Sequence, residues 1–241
     1  MQSSSAEVGF TPARRRGVEI LDDPTSHPEL AERSLHDVAR ANRLFGGQRA
    51  ILRDLRVILA DTPIGATISL LDIGTGLGDI PAAGQRLAER GNRTLTTFGL
   101  EVAPALARAS RRACTFALAG DALSLPFANA SIDVVTCSQV LHHFEDAPAE
   151  RLLRECTRVA RRAVIVGDLR RSWLAVGGLW LSSFALGFHP VSRHDGVVSI
   201  LRGYTRAELD ALVMRAIGRR ANVRHALGWR VTAMWTTDNS S

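Results

Sequence analysis

Gly74, Gly76 and Gly78 stand at alternate positions directly after the apolar run Leu70-Leu71-Asp72-Ile73. A short apolar run of this kind reads as a strand buried on both faces, and residues 80–90 behind the glycines read as a helix. Glycines between strand and helix let the backbone turn sharply and let a ligand touch the main chain. The first N–H groups of the helix have no partner within it, so the loop offers them to a polar ligand. A dinucleotide-binding turn would be spaced GxGxxG. Here the spacing is GxGxG, with an acid, Asp72, two positions before the first glycine.

The chain on either side sets the architecture. Residues 68–73, 94–100, 115–119, 132–137 and 163–167 read as strands. Residues 80–90, 103–112, 149–159 and 206–217 read as helices between or after them. Repeated strand–helix alternation means a parallel sheet covered by helices on both faces. Residues 223–227 and 230–235 read as two strands in succession, which predicts a terminal antiparallel hairpin. The expected fold is α/β: a Rossmann-like, doubly wound, seven-stranded and mostly parallel sheet. Ahead of it, residues 29–44 and 48–60 have helical periodicity, with Leu30, Leu35, Val38 and Ala39 on one face and Ile51, Leu52, Leu55, Val57 and Ile58 on another. Gly46-Gly47 separates them. The expected division is a flexible lead (1–25) and an N-terminal helical cap within residues 1–60, then a domain over 61–241.

Residues 172–192 break the alternation. They contain no Asp, Glu, Lys or Arg, and include Trp173, Leu179, Trp180, Phe184 and Phe188. Length alone permits a membrane span. Glycines, serines and Pro190 lower the hydrophobicity, and a span here would interrupt the sheet. The segment is therefore expected to be a lid or pocket wall, inserted over 172–200, with an interfacial membrane contact as the alternative.

Charge narrows the partners. The formal net charge is +6, and all 30 basic residues are arginine. They fall in scattered pairs, such as Arg111-Arg112 and Arg219-Arg220, rather than in one stripe. A nucleic-acid surface needs a continuous basic face, so that partner is disfavoured. Cys114, Cys137 and Cys156 are odd in number and show no CxxC spacing. That argues against a disulfide framework or a structural zinc and suits a reducing, cytoplasmic setting. The first residues show no charged-then-apolar leader pattern.

Three further segments carry chemistry. Glu101 ends the second strand, where a carboxylate can accept hydrogen bonds from both hydroxyls of a ribose. With Pro104 close behind, the alternative is an acid at a helix start. Gly120-Asp121-Ala122 follows the third strand, and Asp133 opens the fourth within Ser131-Ile132-Asp133-Val134-Val135. In this order and register the four segments, over about residues 67–168, resemble class I methyltransferases that use S-adenosylmethionine, specifically the small-molecule enzymes of the ubiquinone-biosynthesis type. Leu21-Asp22-Asp23-Pro24, Gly167-Asp168-Leu169-Arg170-Arg171-Ser172 and Arg193-His194-Asp195-Gly196 look like a bacterial subgroup associated with polyketide and phenolic-lipid pathways. The resemblance implies a donor site formed by Asp72, Gly74, Thr75, Gly76, Gly78 and Asp79 around the methionine tail. Glu101 and Val102 would serve the ribose, Asp121 and Ala122 the adenine, and Ser138 the end of the fourth strand. S-adenosylhomocysteine would be the product.

The acceptor side begins where the fourth strand ends, in Cys137-Ser138-Gln139-Val140-Leu141-His142-His143-Phe144. The Asn/Asp-Pro-Pro-aromatic run of enzymes that methylate base amino groups is absent, and His-His-Phe resembles the small-molecule enzymes. Removal of a phenolic proton suits histidine, whose ordinary pKa is about 6.5. The candidate catalytic groups are His194, beside Asp195, then His143, with Asp168 at the end of the fifth strand. His142, Trp173, Trp180, Phe184 and Arg193 are expected around a hydrophobic acceptor, in a monomer or homodimer. No metal is required for a simple phenol. The expected reaction is methylation of a hydroxyl, or of a ring carbon, on a hydrophobic phenolic, polyketide or quinone-like small molecule. The alternatives are methylation of RNA or another macromolecule, and a non-catalytic donor-binding module.

Overall fold

The computed structural model describes residues 11–15, 17–20 and 28–237. Two helices, α1 (Pro28–Leu44) and α2 (Gly47–Ala60), precede β1 (Thr67–Ile73), α3 (Asp79–Arg90), β2 (Thr94–Glu101), α4 (Pro104–Ser110) and β3 (Phe116–Ala119). Then come β4 (Ile132–Ser138), a single 3-10 turn (Leu141–His143), α5 (Asp146–Val159) and β5 (Ala160–Leu169). The chain continues through α6 (Trp173–Ala185), α7 (Pro190–Arg202), α8 (Arg206–Ile217), β6 (Asn222–Ala226) and β7 (Arg230–Thr236). The seven strands form one sheet in the order β3-β2-β1-β4-β5-β7-β6. The first five are parallel, and β7 runs antiparallel to both β5 and β6. This is the expected architecture, terminal hairpin included.

Alternating side chains on each strand face opposite sides of a sheet, and both sides here are apolar. Leu71, Ile73, Val135, Val164 and Val166 join Leu152, Leu153 and Val159 of α5 and Leu209, Leu212 and Val213 of α8. Their neighbours Leu70, Val134 and Ile165 turn the other way and meet Ile51, Leu55 and Ile58 of α2 and Ile80 of α3. α2 of the helical cap thus shares one layer of the fold with α3. β5 extends beyond the apolar stretch on which it was expected, because Arg161 leaves the sheet to pair with Asp133 and Arg162 to bond Thr62. The β6–β7 turn presses on the α1–α2 junction: a Cβ at Gly228 would overlap the carbonyl of Phe45.

The 172–200 insertion is helical, formed by α6 and α7. Ser172 caps α6 by accepting from the Leu174 N–H at 3.2 Å. α7 packs against α6, α1 and the 3-10 turn. Among the described residues no helix is long and apolar enough to cross a membrane. The described part of the lead is packed along α7, unlike the flexible stretch expected there. Arg15 N–H donates to the Leu201 carbonyl at 3.1 Å, Ile20 N–H to Asp195 Oδ1 at 2.9 Å, and Arg202 Nε to the Gly17 carbonyl at 3.0 Å. Residues 1–10 and the Leu-Asp-Asp-Pro motif at 21–24 lie outside the described residues.

Candidate active site

The carboxyl ends of the parallel strands open into a cavity of about 660 Å³. At its floor the chain leaves β1 through Gly74, Gly76 and Gly78, all with positive φ (64°, 56° and 78°). A Cβ at Gly74 would overlap Val140, so the loop takes this path only with glycine there. Gly74 and Thr75 donate to the Leu100 carbonyl at 2.9 and 3.3 Å, which ties the loop to β2. Glu101, 8% exposed at the end of β2, accepts from the Gly76 N–H at 2.6 Å. Burial pushes its carboxyl above the usual range, and the Gly76 and Val102 N–H groups pull it partly back. Asp72 is buried and accepts from Thr136 Oγ1 at 2.7 Å; burial still lifts it to about 7. Asp79, in the first turn of α3, is held by Asn42 at 3.2 Å and by Gln48.

These groups suit a ligand that is cationic at one end and carries a sugar and a base. Asp72 and Glu101 are buried acids and Asp79 is half-buried, and none of the three has an arginine paired to it among the described residues. Val102, at the rim beside Glu101, is 79% exposed, an apolar surface on which a flat base can lie. Asp121, Ala122 and Ser138 also line the cavity, and Asp121 is fixed by the Leu123 N–H at 2.8 Å. The structure therefore gathers the expected donor-site residues Asp72, Gly74, Thr75, Gly76, Asp79, Glu101, Val102, Asp121, Ala122 and Ser138 around one space. Gly78 stands just behind, with Ala113 where its Cβ would be.

The acceptor side is built on the 3-10 turn. It buries His142 against Asp168, the last acid of β5, with Nδ1 2.6 Å from Oδ1. Asp168 also accepts from the backbone N–H groups of His142 (2.9 Å) and Leu169 (2.7 Å). Burial alone would raise this carboxyl, but His142 beside it and these hydrogen bonds hold it below the usual carboxylate range. An ionised carboxylate only accepts, so Nδ1 carries a ring hydrogen, and in the neutral ring Nε2 then presents its lone pair. His142 lines the cavity, and its buried Nε2 has no hydrogen-bond partner among the described residues. The nearest carboxylate atom is Glu19 Oε1 at 3.9 Å. Glu19 comes from the lead and is anchored by Ser199 at 2.8 Å and Arg202 at 3.0 Å. His143 lies against His142, ring centroids 4.3 Å apart, with Nδ1 4.0 Å from Glu19.

Glu19, His142 and His143 place one ligand-type atom each within 4.8 Å of one another. Two imidazoles and a carboxylate are metal-ligand chemistry. Glu19, however, already carries the Arg202 guanidinium, so the trio is read as an acid–base network.

Several expected acceptor-side residues sit elsewhere. His194 bonds Asp195 at 2.9 Å as anticipated, but its side chain is 53% exposed and it does not line the cavity. On α7 the cavity-facing positions are Ser192, Asp195, Gly196, Ser199 and Ile200, and His194 falls between them. Trp173, Trp180 and Phe184 point outward, about half exposed, while α6 turns Ala175, Gly178 and Leu179 inward. Arg193 stacks over Phe184 at 3.6 Å and donates to Ser183, and does not line the cavity. Glu19 and Arg230, both in the cavity wall, escape sequence reasoning, because nothing local distinguishes either from an ordinary surface charge. The thiols are raised by burial, Cys114 to about 11 and Cys156 to about 12, which makes them poor nucleophiles.

Residues 71–166 match the family described as "Methyltransferase domain". The chain is 28% identical over 226 residues to a demethylmenaquinone methyltransferase of Roseiflexus sp. (strain RS-1), covering 87% of this chain and 89% of that one. In structure it is similar to a SAM-dependent methyltransferase from Aquifex aeolicus (TM-score 0.57, 13% identity, 85% of this chain and 97% of that one). It is also similar to magnesium protoporphyrin IX methyltransferase from Synechocystis PCC 6803 with bound SAH (TM-score 0.53, 17% identity, 80% and 84%). The matched domain and the sheet order agree: the chain is a SAM-dependent methyltransferase built on the class I fold.

Proposed function

We propose that the protein methylates a hydroxyl of a hydrophobic phenolic small molecule, with His142 Nε2 as the base that takes the hydroxyl proton. The observation that carries this reading is the buried Nε2, without a hydrogen bond among the described residues, of a histidine whose other nitrogen is fixed by Asp168. S-adenosylmethionine supplies a methyl group already made electrophilic by its sulfonium. The protein's task is then to hold the acceptor oxygen in line and to receive its proton. The new O–C bond forms as the C–S bond breaks, the electron pair leaves on sulfur, and the proton passes to Nε2. Asp168 stabilises the imidazolium so formed, as a positioning residue. The same proton removal serves transfer to an adjacent ring carbon.

Apolar lining supports a hydrophobic acceptor. Leu179 and Ala175 of α6, Phe188, Ile200 of α7, and Val38 of α1 line the same cavity as His142. Such walls exclude water from the reacting atoms. The Roseiflexus relative is named for demethylmenaquinone as its acceptor, and the subgroup resemblance of residues 167–172 and 193–196 favours phenolic lipids and polyketides. Both are ring compounds with apolar bodies.

The test is methyl transfer from labelled donor to a panel of alkylphenols and quinols. His142→Ala is expected to lower kcat by about 10²–10⁴ while leaving donor affinity unchanged. Full turnover by His142→Ala on an acceptor the wild type uses would overturn the assignment.

A further inference from the structure

α6 has a second face that the cavity does not use. Trp173, Leu174, Gly177, Trp180, Leu181 and Phe184 recur at helical spacing along one side, and the five large side chains among them are 44–70% exposed. Trp180 and Phe184 meet edge to face, ring centroids 4.9 Å apart, so the outer side of α6 is a joined apolar strip rather than scattered side chains. A contiguous apolar strip held in water is costly and marks a contact surface.

Charge around the strip identifies what covers it. Residues 172–192 contain no Asp, Glu, Lys or Arg, and arginines from outside border them. Arg15 stands over the Trp173 ring at 5.9 Å and Arg193 over Phe184 at 3.6 Å. Arg40 donates to the Leu186 carbonyl, just past the end of the helix, at 2.9 Å. Beyond that end Asp37 accepts from the His189 N–H at 3.0 Å. Exposed aromatic rings with guanidinium groups beside them suit a helix lying in a lipid–water interface, rings among the acyl chains and cations at the phosphates. The 13 residues of α6 span about 20 Å, too short to cross a bilayer, so such a helix lies along its surface. A second copy fits the face less well. A two-fold contact sets the patch against itself and would bring arginines against arginines, with no acid in the strip to meet them.

We propose that the outer face of α6 docks on an anionic bilayer surface, with Trp173, Trp180, Leu181 and Phe184 among the acyl chains and Arg15, Arg40 and Arg193 at the phosphates. Gly178 is exposed and also lines the cavity, so the cavity reaches the surface along the docked helix. For the hydrophobic acceptor proposed above, this gives a path from bilayer to cavity that avoids water. That path rests on the acceptor being hydrophobic; the docking does not.

Sedimentation of the purified full chain with vesicles tests it, using phosphatidylcholine alone and phosphatidylcholine mixed with phosphatidylglycerol. Wild type is expected to bind the anionic vesicles about tenfold or more tightly than the neutral ones, and to be released by high salt. Trp180→Ala combined with Leu181→Ala should weaken that binding about tenfold. Arg15→Gln combined with Arg40→Gln should weaken it about fivefold for each arginine. Both variants should bind S-adenosylhomocysteine as wild type does, which also reports their folding, because none of the four residues lines the cavity. Brominated acyl chains should quench the tryptophan emission of bound wild type. Trp180→Phe, which keeps the ring, should lose part of that quenching while still binding, and this readout stands even where a double variant does not fold. Equal affinity of wild type for the two kinds of vesicle would overturn the proposal, as would absence of quenching or undiminished binding by the folded Trp180→Ala, Leu181→Ala protein. So would a wild-type dimer in analytical ultracentrifugation that this variant dissolves, since the strip would then belong to a second copy.

Discussion

His142 and His143 are adjacent in sequence and differ in kind in the structure. One is dry and fixed by Asp168, while the other is partly exposed between His142 and Arg202. The separation is made by the 3-10 turn and by Asp168 arriving from β5, neither of which the His-His pair encodes. Asp72 and Glu101 were legible because their positions obey local rules: an acid before a glycine turn, and an acid where a strand ends. Glu19 was not, because only the packing of the lead on α7 brings it to His142. Asp72 also carries a testable cost. Its folded pKa, about 7, lies above the ordinary aspartate value of 3.8, so the protonated acid stabilises the fold. That contribution is complete below about pH 4 and is lost as pH rises through 7, a difference of up to about 4 kcal/mol. Asp72→Asn is therefore expected to raise the thermal midpoint at pH 8 while weakening donor affinity, since the ionised form faces the donor's cation. A lower midpoint together with unchanged affinity would contradict this account of Asp72.

Among the elements, α6 shows most clearly what composition leaves out. The sequence marked residues 172–192 as apolar and placed their aromatics in the pocket. Because a helix presents every third or fourth residue to one side, α6 divides them into two faces. Ala175, Gly178 and Leu179 line the cavity, and Trp173, Trp180, Leu181 and Phe184 lie outside. Helical phase could not be read without knowing where the helix starts, which the Ser172 cap fixes. A Cβ at Gly178 would meet nothing within 4 Å. Gly178→Leu is accordingly expected to fold and to project into acceptor space. Acceptor KM should rise about tenfold or more with donor affinity unchanged, as steady-state kinetics and donor binding would measure. A rise in donor Kd instead would place α6 on the other side of the site.

For the whole molecule, the sheet order and its two apolar faces were legible because each strand's burial pattern comes directly from its residues. Leu70 and Leu71 point to opposite sides and meet different helices, with no polar face between them. The arrangement of α7 and the lead around the cavity was not legible, since it depends on contacts between segments 175 residues or more apart, such as Ile20 with Asp195 and Ser199 with Glu19. What the fold contributes to function is the convergence of strand ends β1, β2, β4 and β5 with the start of β7 on one cavity. The most direct measurement is equilibrium dialysis of methyl-labelled S-adenosylmethionine against wild type and Glu101→Gln. Uptake of one donor per chain by wild type, weakened about ten- to a hundredfold in the variant, is the predicted result. No uptake by folded wild type, or equal uptake by both proteins, would contradict it.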